Sequence, residues 1–252
     1  MSSRILPADF QSMLKEAVIT FWRTRSTGSA TQGGSRGNVI AGKNLDGFLA
    51  VVKGIARHCG IPNSSVFTNR DLTLPGFYRP TKKWDVVIVH RQRLSAVLEF
   101  KSQVGSFGNN FNNRAEEVIG NSSDLLVAAR HGAYHPTNHT NSSCKRNRVD
   151  PRPPFLGYLM LLEDSDSSTR AVKVASPHYH VFPEFKNSSY AERYRILCER
   201  LMEQNLYDAA ALVLSPRSNR GLSGEHRFLS KATSARNLFA QLAGRLLADS
   251  ES

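Results

Sequence analysis

The sequence predicts an α/β fold, a central mixed β-sheet flanked by helices, and three observations carry that prediction. Segments with helical apolar spacing alternate along the chain with short runs rich in Val, Ile and Leu, the pattern of a layered α/β sandwich. One run, FLGYLMLLED at residues 155–164, is apolar without interruption, as suits a strand buried on both faces. The chain also has 252 residues, 40% of them hydrophobic, which allows a sizeable core; one compact domain over 1–252 with insertions is expected.

Taken from the N-terminus, PADFQSMLKEAVITFW (7–22) sets Phe10, Met13, Leu14, Ala17, Val18 and Phe21 at helical spacing. Residues 23–43 are rich in Gly, Ser and Thr and carry Arg23, Arg25, Arg36 and Lys43, so they are read as a basic loop suited to lie along phosphates. NLDGFLAVVKGIARHCG (44–60) makes a second helix, closed by Gly60 and Pro62. A stretch of turn residues follows. Two β-branched and aliphatic runs within KKWDVVIVHRQRLSAVLEFKSQ (82–103) then form a hairpin across HRQR. A helix beginning near Asn112 or Asn113 as its cap runs to about Arg130, and residues 132–154 form a basic, irregular loop. After the buried strand come an amphipathic helix (188–206), a short buried strand YDAAALVLS (207–215) and a terminal helix (234–249).

Charge narrows the function. The 33 Lys and Arg against 21 Asp and Glu give a formal +12 and a pI near 10.0, spread along the chain, a field that attracts nucleic acid. Cys59, Cys144 and Cys198 are widely spaced without a CxxC pair, which indicates neither a disulfide framework nor a zinc ribbon. No apolar run approaches the length of a membrane span and the first residues lack a signal-peptide profile, so a cytoplasmic protein is expected. His131, His135, His139 and Cys144 are spaced like metal ligands, but Pro136 breaks any helix that would align them, and zinc is not expected. His178 and His180, in a strand-like stretch beside Pro177, are read as structural.

The hairpin carries the chemistry. With Arg91 to Arg93 as a three-residue loop, His90 faces Leu94, Val87 faces Val97 and Asp85 faces Glu99. Side chains alternate along a strand, so Glu99 and Lys101 share a face, and Asp85 joins them with β-carbons roughly 5 Å apart. Two carboxylates that close repel, and a divalent cation with oxygen ligands removes the conflict. A lysine beside them can hold a water and stabilise charge on a phosphate. The same triplet could equally be a strand-edge salt bridge, and the protein a non-catalytic DNA binder.

At these residues the chain resembles the PD-(D/E)XK nuclease superfamily, and more closely its XhoI-type restriction endonucleases. The likeness spans most of the chain and rests on AGKNLDGF (41–48), WDVVIVHRQRLSAVLEFKSQVGSFGNNFNNRAEE (84–117), GYLMLLED (157–164), VFPEFKNSSYAERY (181–194) and YDAAALVLS (207–215). EFKSQVG and FGNNFNNR are its specific parts. The resemblance implies a restriction-endonuclease-like fold and a Mg²⁺-dependent type II enzyme. Such an enzyme acts as a homodimer on double-stranded DNA, with CTCGAG cut after the first C to leave 5′-phosphate and 3′-hydroxyl ends, and a cognate DNA methyltransferase is expected beside it. It assigns Asp85, Glu99 and Lys101 to catalysis, and Asp85, Glu99 and the Phe100 carbonyl to the metal, with Asp46 as a further acid. Trp84 stands where the superfamily name has proline. Another nuclease of the same fold, acting in repair, homing or without specificity, is the nearest alternative.

Candidate DNA contacts follow from residue type. Asn109, Asn110, Asn112, Asn113 and Arg114 come directly after the second strand, where Asn can pair bidentately with adenine and Arg with guanine. Arg36, Lys43, Lys145, Arg146 and Arg148 are read as phosphate contacts from the two basic loops. Glu116 and Glu117 are assigned no more than a complement to a helix dipole.

Overall fold

A computed structural model describes residues 5–28, 44–135 and 152–251. Its centre is a five-stranded mixed sheet in the order β1-β4-β5-β6-β7, formed by β1 (Val66–Phe67), β4 (Val86–His90), β5 (Arg93–Gln103), β6 (Phe155–Glu163) and β7 (Ala209–Ser215). β4 runs antiparallel to both of its neighbours, β1 and β5, and β5, β6 and β7 run parallel. The α/β sandwich predicted from the sequence is therefore the observed one.

Alternation in the strands divides the core into two layers. Leu98 and Phe100 of β5 and Leu159 and Leu161 of β6 pack with the helices α1 (Phe10–Gly28), α2 (Asp46–His58) and α7 (Ala235–Glu251). Val97 of β5 and Tyr158, Met160 and Leu162 of β6 pack on the opposite side with α3 (Phe107–Arg130) and α5 (Tyr190–Glu203). β6 is buried along nearly its whole length, as its unbroken apolar sequence requires. α2 buries Phe48, Val51, Val52, Ile55 and Ala56, a single stripe at helical spacing. Its first turn comes so close to α1 that a Cβ on Gly47 would lie 2.6 Å from Ala17 Cα, which fixes where Asp46 enters the fold. Ser189 and Glu192 form a reciprocal capping box at the start of α5. Burial pushes the Cys59 thiol up to about 11 and the Cys198 thiol to about 12, so both are inert core groups.

Four local expectations are corrected. Residues 23–28 are helix rather than loop: Thr24 Oγ1 donates to Thr20 O and Ser26 Oγ to Trp22 O, so these polar residues satisfy themselves inside the helix. Residues 29–43, with Arg36 and Lys43, lie outside the described residues, as do 136–151 with His139, Cys144, Lys145, Arg146 and Arg148. α3 begins at Phe107, not near Asn112, because Gln103 anchors the preceding turn: its Nε2 donates to the carbonyls of Gly105 and Ser106, and its Oε1 accepts from the Tyr194 hydroxyl. Asn110 then donates to Ser106 O from within the first turn. His178 and His180 lie in an exposed, irregular stretch, not a strand. Fourth, the turn-rich stretch before the hairpin carries a second, two-stranded sheet, β2 (Thr73–Pro75) against β3 (Thr81–Lys83).

The β4–β5 connection also differs in detail. Its loop is two residues, Arg91 and Gln92, both at positive φ, with His90 opposite Arg93 and Val89 opposite Leu94. Ser95 is then the extra residue of a bulge, so that Ile88 faces Ala96 and Val87 faces Val97. Moving the extra residue from loop to bulge leaves the register beyond it as predicted. Neither Arg91 nor Gln92 suits the left-handed region, so replacing the pair with Asn-Gly is expected to raise the free energy of unfolding by about 1–2 kcal/mol, read as a higher urea midpoint.

Candidate active site

Strand lengths create the site. The ladder between β4 and β5 ends at Val86 opposite Leu98, whereas β5 continues beside β6 to Gln103. Past Leu98 the β4-facing edge of β5 has no strand beside it, and its backbone groups need other partners. Asp85, one residue before β4, fills that need: its Oδ2 accepts the Phe100 N–H at 2.7 Å. Because the N–H and C=O of one strand residue point to the same side, the Phe100 carbonyl faces the same open edge as the Asp85 carboxylate.

Glu99 sits one residue before Phe100 and faces the opposite layer, under α3. It is only 1% exposed, and a carboxylate there must be compensated. Three groups do so. Lys101 Nζ lies 2.9 Å and Lys82 Nζ 3.2 Å from Glu99 Oε1, and Asn121 Nδ2 donates to Oε2 at 2.8 Å. Lys82 arrives from β3, with its ammonium 4.4 Å from the Trp84 ring centre. Lys101 is shared with Glu117 at 2.8 Å, and Glu117 in turn pairs with Arg114 at 2.7 Å.

Electrostatics assigns each group a state. Burial opposes the charge on Lys101, yet Glu99 and Glu117 outweigh it and hold its pKa above the ordinary lysine value; Lys101 is an ammonium donor, not a base. Burial also opposes ionisation of Glu117, but Lys101 and Arg114 prevail and hold its carboxyl below the usual range. Asp85 is the reverse case. Burial raises its pKa more than the Phe100 N–H and Lys101 lower it, so this carboxylate lacks sufficient positive charge nearby.

A cavity of about 650 Å³ opens over this edge, lined among others by Asp46, Lys83, Asp85, Phe100, Lys101 and Arg114. Arg25 reaches it from α1. Of the residues singled out in the sequence, Asp85, Phe100 and Lys101 line this cavity with Asp46 on the same wall, and Glu99 lies behind Lys101. Among the described residues no three His, Cys, Asp or Glu side chains form a metal-binding group, so Asp46 does not complete a three-acid cluster. The oxygen donors at the open edge are Asp85 and the Phe100 carbonyl, with Glu99 buried behind them and held on both oxygens by Lys82, Lys101 and Asn121. This set fits a hard divalent cation such as Mg²⁺, and the uncompensated charge of Asp85 favours one. Of the asparagines after β5, Asn109, Asn112 and Asn113 are exposed on the first turns of α3, and Asn110 is used in its N-terminal turn.

Lys82, Asn121 and the role of Glu117 were missed. Glu117 lies in the third turn of α3, too far from the helix start to complement its dipole. The signal for two of the three was present: Arg114, Glu117, Asn121 and Asp124 recur at spacings of three, four and three, a polar stripe on a helix face turned towards the sheet. Lys82 had no such mark, because nothing local ties β3 to Glu99.

Comparison with known proteins gives the family. The family model for restriction endonuclease XhoI matches residues 23–226. The chain is 43% identical over 217 residues to the type II restriction enzyme XhoI of Xanthomonas vasicola, covering 83% of this chain and 82% of that protein. It is 42% identical over 200 residues to the type II restriction enzyme BstVI of Geobacillus stearothermophilus, covering 77% and 83%. No solved structure matches it.

Two substitutions should move stability in opposite directions. Lys82→Met keeps the aliphatic stem over Trp84 but removes an ammonium from buried Glu99, and should lower the free energy of unfolding by about 2 kcal/mol. Asp85→Asn keeps an acceptor for Phe100 N–H and removes a charge that burial disfavours. A carboxyl whose folded pKa is raised opposes folding once pH exceeds its ordinary value, so at pH 7 without divalent metal Asp85→Asn should raise the urea midpoint.

Proposed function

The chain belongs to the XhoI restriction endonuclease family and is a type II restriction enzyme, a site-specific deoxyribonuclease; from that premise we propose how and where it cuts. The substrate is double-stranded DNA containing CTCGAG, cleaved after the first C, and the products carry 5′-phosphate and 3′-hydroxyl ends. The observation that supports this reading is Asp85 on the Phe100 N–H at the open edge of β5, with the Lys101 ammonium beside it and held by buried Glu99.

The groups divide the work. Asp85, Glu99 and the Phe100 carbonyl would hold Mg²⁺, with Asp46 a further acid on the cavity wall. When bound, the ion supplies Lewis acidity and positive charge beside the phosphate. Lys101, kept protonated by Glu99 and Glu117, donates a hydrogen bond that aligns a water with the phosphorus and then stabilises the charge that grows on the phosphate oxygens. The water oxygen forms the new P–O bond and gives up a proton to solvent while the bond to the 3′-oxygen breaks, and that oxygen takes a proton from solvent and leaves as the 3′-hydroxyl. Asn121 holds the outer oxygen of Glu99, so the carboxylate is oriented before substrate arrives. Arg114, at the cavity rim, and Arg25 offer positive charge to the flanking phosphates.

A palindrome has two-fold symmetry, and a homodimer would present one such site to each strand. A DNA methyltransferase of matching specificity would protect the host sequence. A long natural DNA should be cut to discrete fragments whose ends map to CTCGAG, and chelation by EDTA should stop the reaction. Asp85→Ala, Glu99→Ala and Lys101→Ala should each reduce single-turnover cleavage by about a thousandfold or more while retaining duplex binding. A smear of products, or full activity in all three variants, would refute the assignment.

A further inference from the structure

The small β2–β3 sheet ends in a tip whose construction the catalytic site does not explain. Phe77 and Tyr78 occupy it, 47% and 72% exposed, packed edge to face at 5.0 Å. An exposed aromatic pair is costly in water, yet this one is held rigidly. Asp124 of α3 accepts the backbone N–H of Phe77 at 2.7 Å and of Tyr78 at 2.8 Å, and its other oxygen accepts Arg79 Nε at 2.8 Å. Gly76 passes so near that a Cβ there would lie 2.5 Å from Asp124 Oδ2. Phe77 stacks on His131 at 4.6 Å, and the Tyr134 hydroxyl donates to Pro75 O. A tip fixed in this way presents its rings without losing freedom when it binds, as a recognition element does.

The same hairpin is tied to Glu99 twice. Lys82 of β3 contacts Glu99 Oε1, and Arg79 Nη2 donates to Asn121 Oδ1 at 2.7 Å while Asn121 holds Glu99 Oε2. Lys83, next along β3, lines the active-site cavity. From Lys83 to Tyr78 is five residues, at most roughly 16 Å, or about five base pairs of duplex.

We infer that the β2–β3 hairpin is a DNA-binding arm, whose Phe77–Tyr78 tip packs against the sugars and base edges of the duplex within about five base pairs of the scissile phosphate. The inference rests on the nuclease reading above. Charge selects this partner over a second copy of the chain. In residues 70–83 Arg70 pairs with Asp71, Arg79 with Asp124 and Lys82 with Glu99, so the positive charge shown to a partner comes from exposed Lys83 and from exposed Arg130 beside the His131 that supports the tip. A two-fold contact between copies at the tip would bring these cations together, whereas DNA supplies the opposite charge. Aromatic rings add what charge does not, contact with the apolar parts of the nucleotide.

The test uses the full chain and a fluorescent duplex carrying CTCGAG, titrated in EDTA so that cleavage does not intervene. Tyr78→Ala should weaken binding about tenfold or more, leave the melting temperature unchanged and leave the salt dependence of binding unchanged, since no charge is lost. Tyr78→Phe should restore most of the affinity. Wild-type affinity in Tyr78→Ala would overturn the arm while leaving the nuclease reading intact. A change in the association state of the DNA-free protein, read by sedimentation, would assign the tip to a protein contact and also overturn it. Failure of the wild-type protein to bind any duplex would overturn both readings.

Discussion

Glu99 is a carboxylate almost wholly withdrawn from water, and an isolated charge in that position would cost more than most domains can spare. The chain does not neutralise it with a single partner. Lys101 comes from the same strand, Lys82 from the small sheet, and Asn121 from the helix packed above. Two of these are constrained in turn, Lys101 by Glu117 and Asn121 by Arg79, which Asp124 holds. A breach at one member exposes the others to the same desolvation penalty, so three separate elements are held in one relative position by the need to satisfy one carboxylate.

That arrangement separates two acids of similar chemistry. Glu99 is over-supplied with cations and fixed on both oxygens. Asp85, at the unpaired edge of β5, has a backbone N–H but insufficient positive charge, and burial raises its pKa. The first is a rigid frame, and the cavity opens over the second. Burial of Asp85 works against stability, and active sites are the usual location of such strain in an enzyme.

Much of this was legible in the sequence, for identifiable reasons. The register that brings Asp85, Glu99 and Lys101 to one place follows from alternation along two adjacent strands, and it survived an error in the turn, because the extra residue moved to a bulge at Ser95 without changing the count. β6 was readable because burial on both faces leaves no polar position. What was not legible depends on contacts distant in sequence. β2 and β3 are three residues each, too short for a periodicity to show, and Lys82 meets Glu99 only because that hairpin docks on α3 through Asp124. Residues 23–28 were misjudged since Ser and Thr read as loop formers, whereas their hydroxyls bond back into the helix. The stripe Arg114, Glu117, Asn121, Asp124 was visible but was weighed residue by residue, and only the helix face gives it meaning.

The central claim is that Asp85, the Phe100 carbonyl and Glu99 form one cation site at the edge where β5 outruns β4. Anomalous diffraction from a crystal of the protein with a CTCGAG duplex and Mn²⁺ tests it most directly. The account predicts an anomalous peak within coordination distance of Asp85 and the Phe100 carbonyl, with a Glu99 oxygen turned towards it and loosened from Lys82 or Lys101. A peak elsewhere on the protein, with Asp85 and Glu99 still in their metal-free contacts, would contradict it.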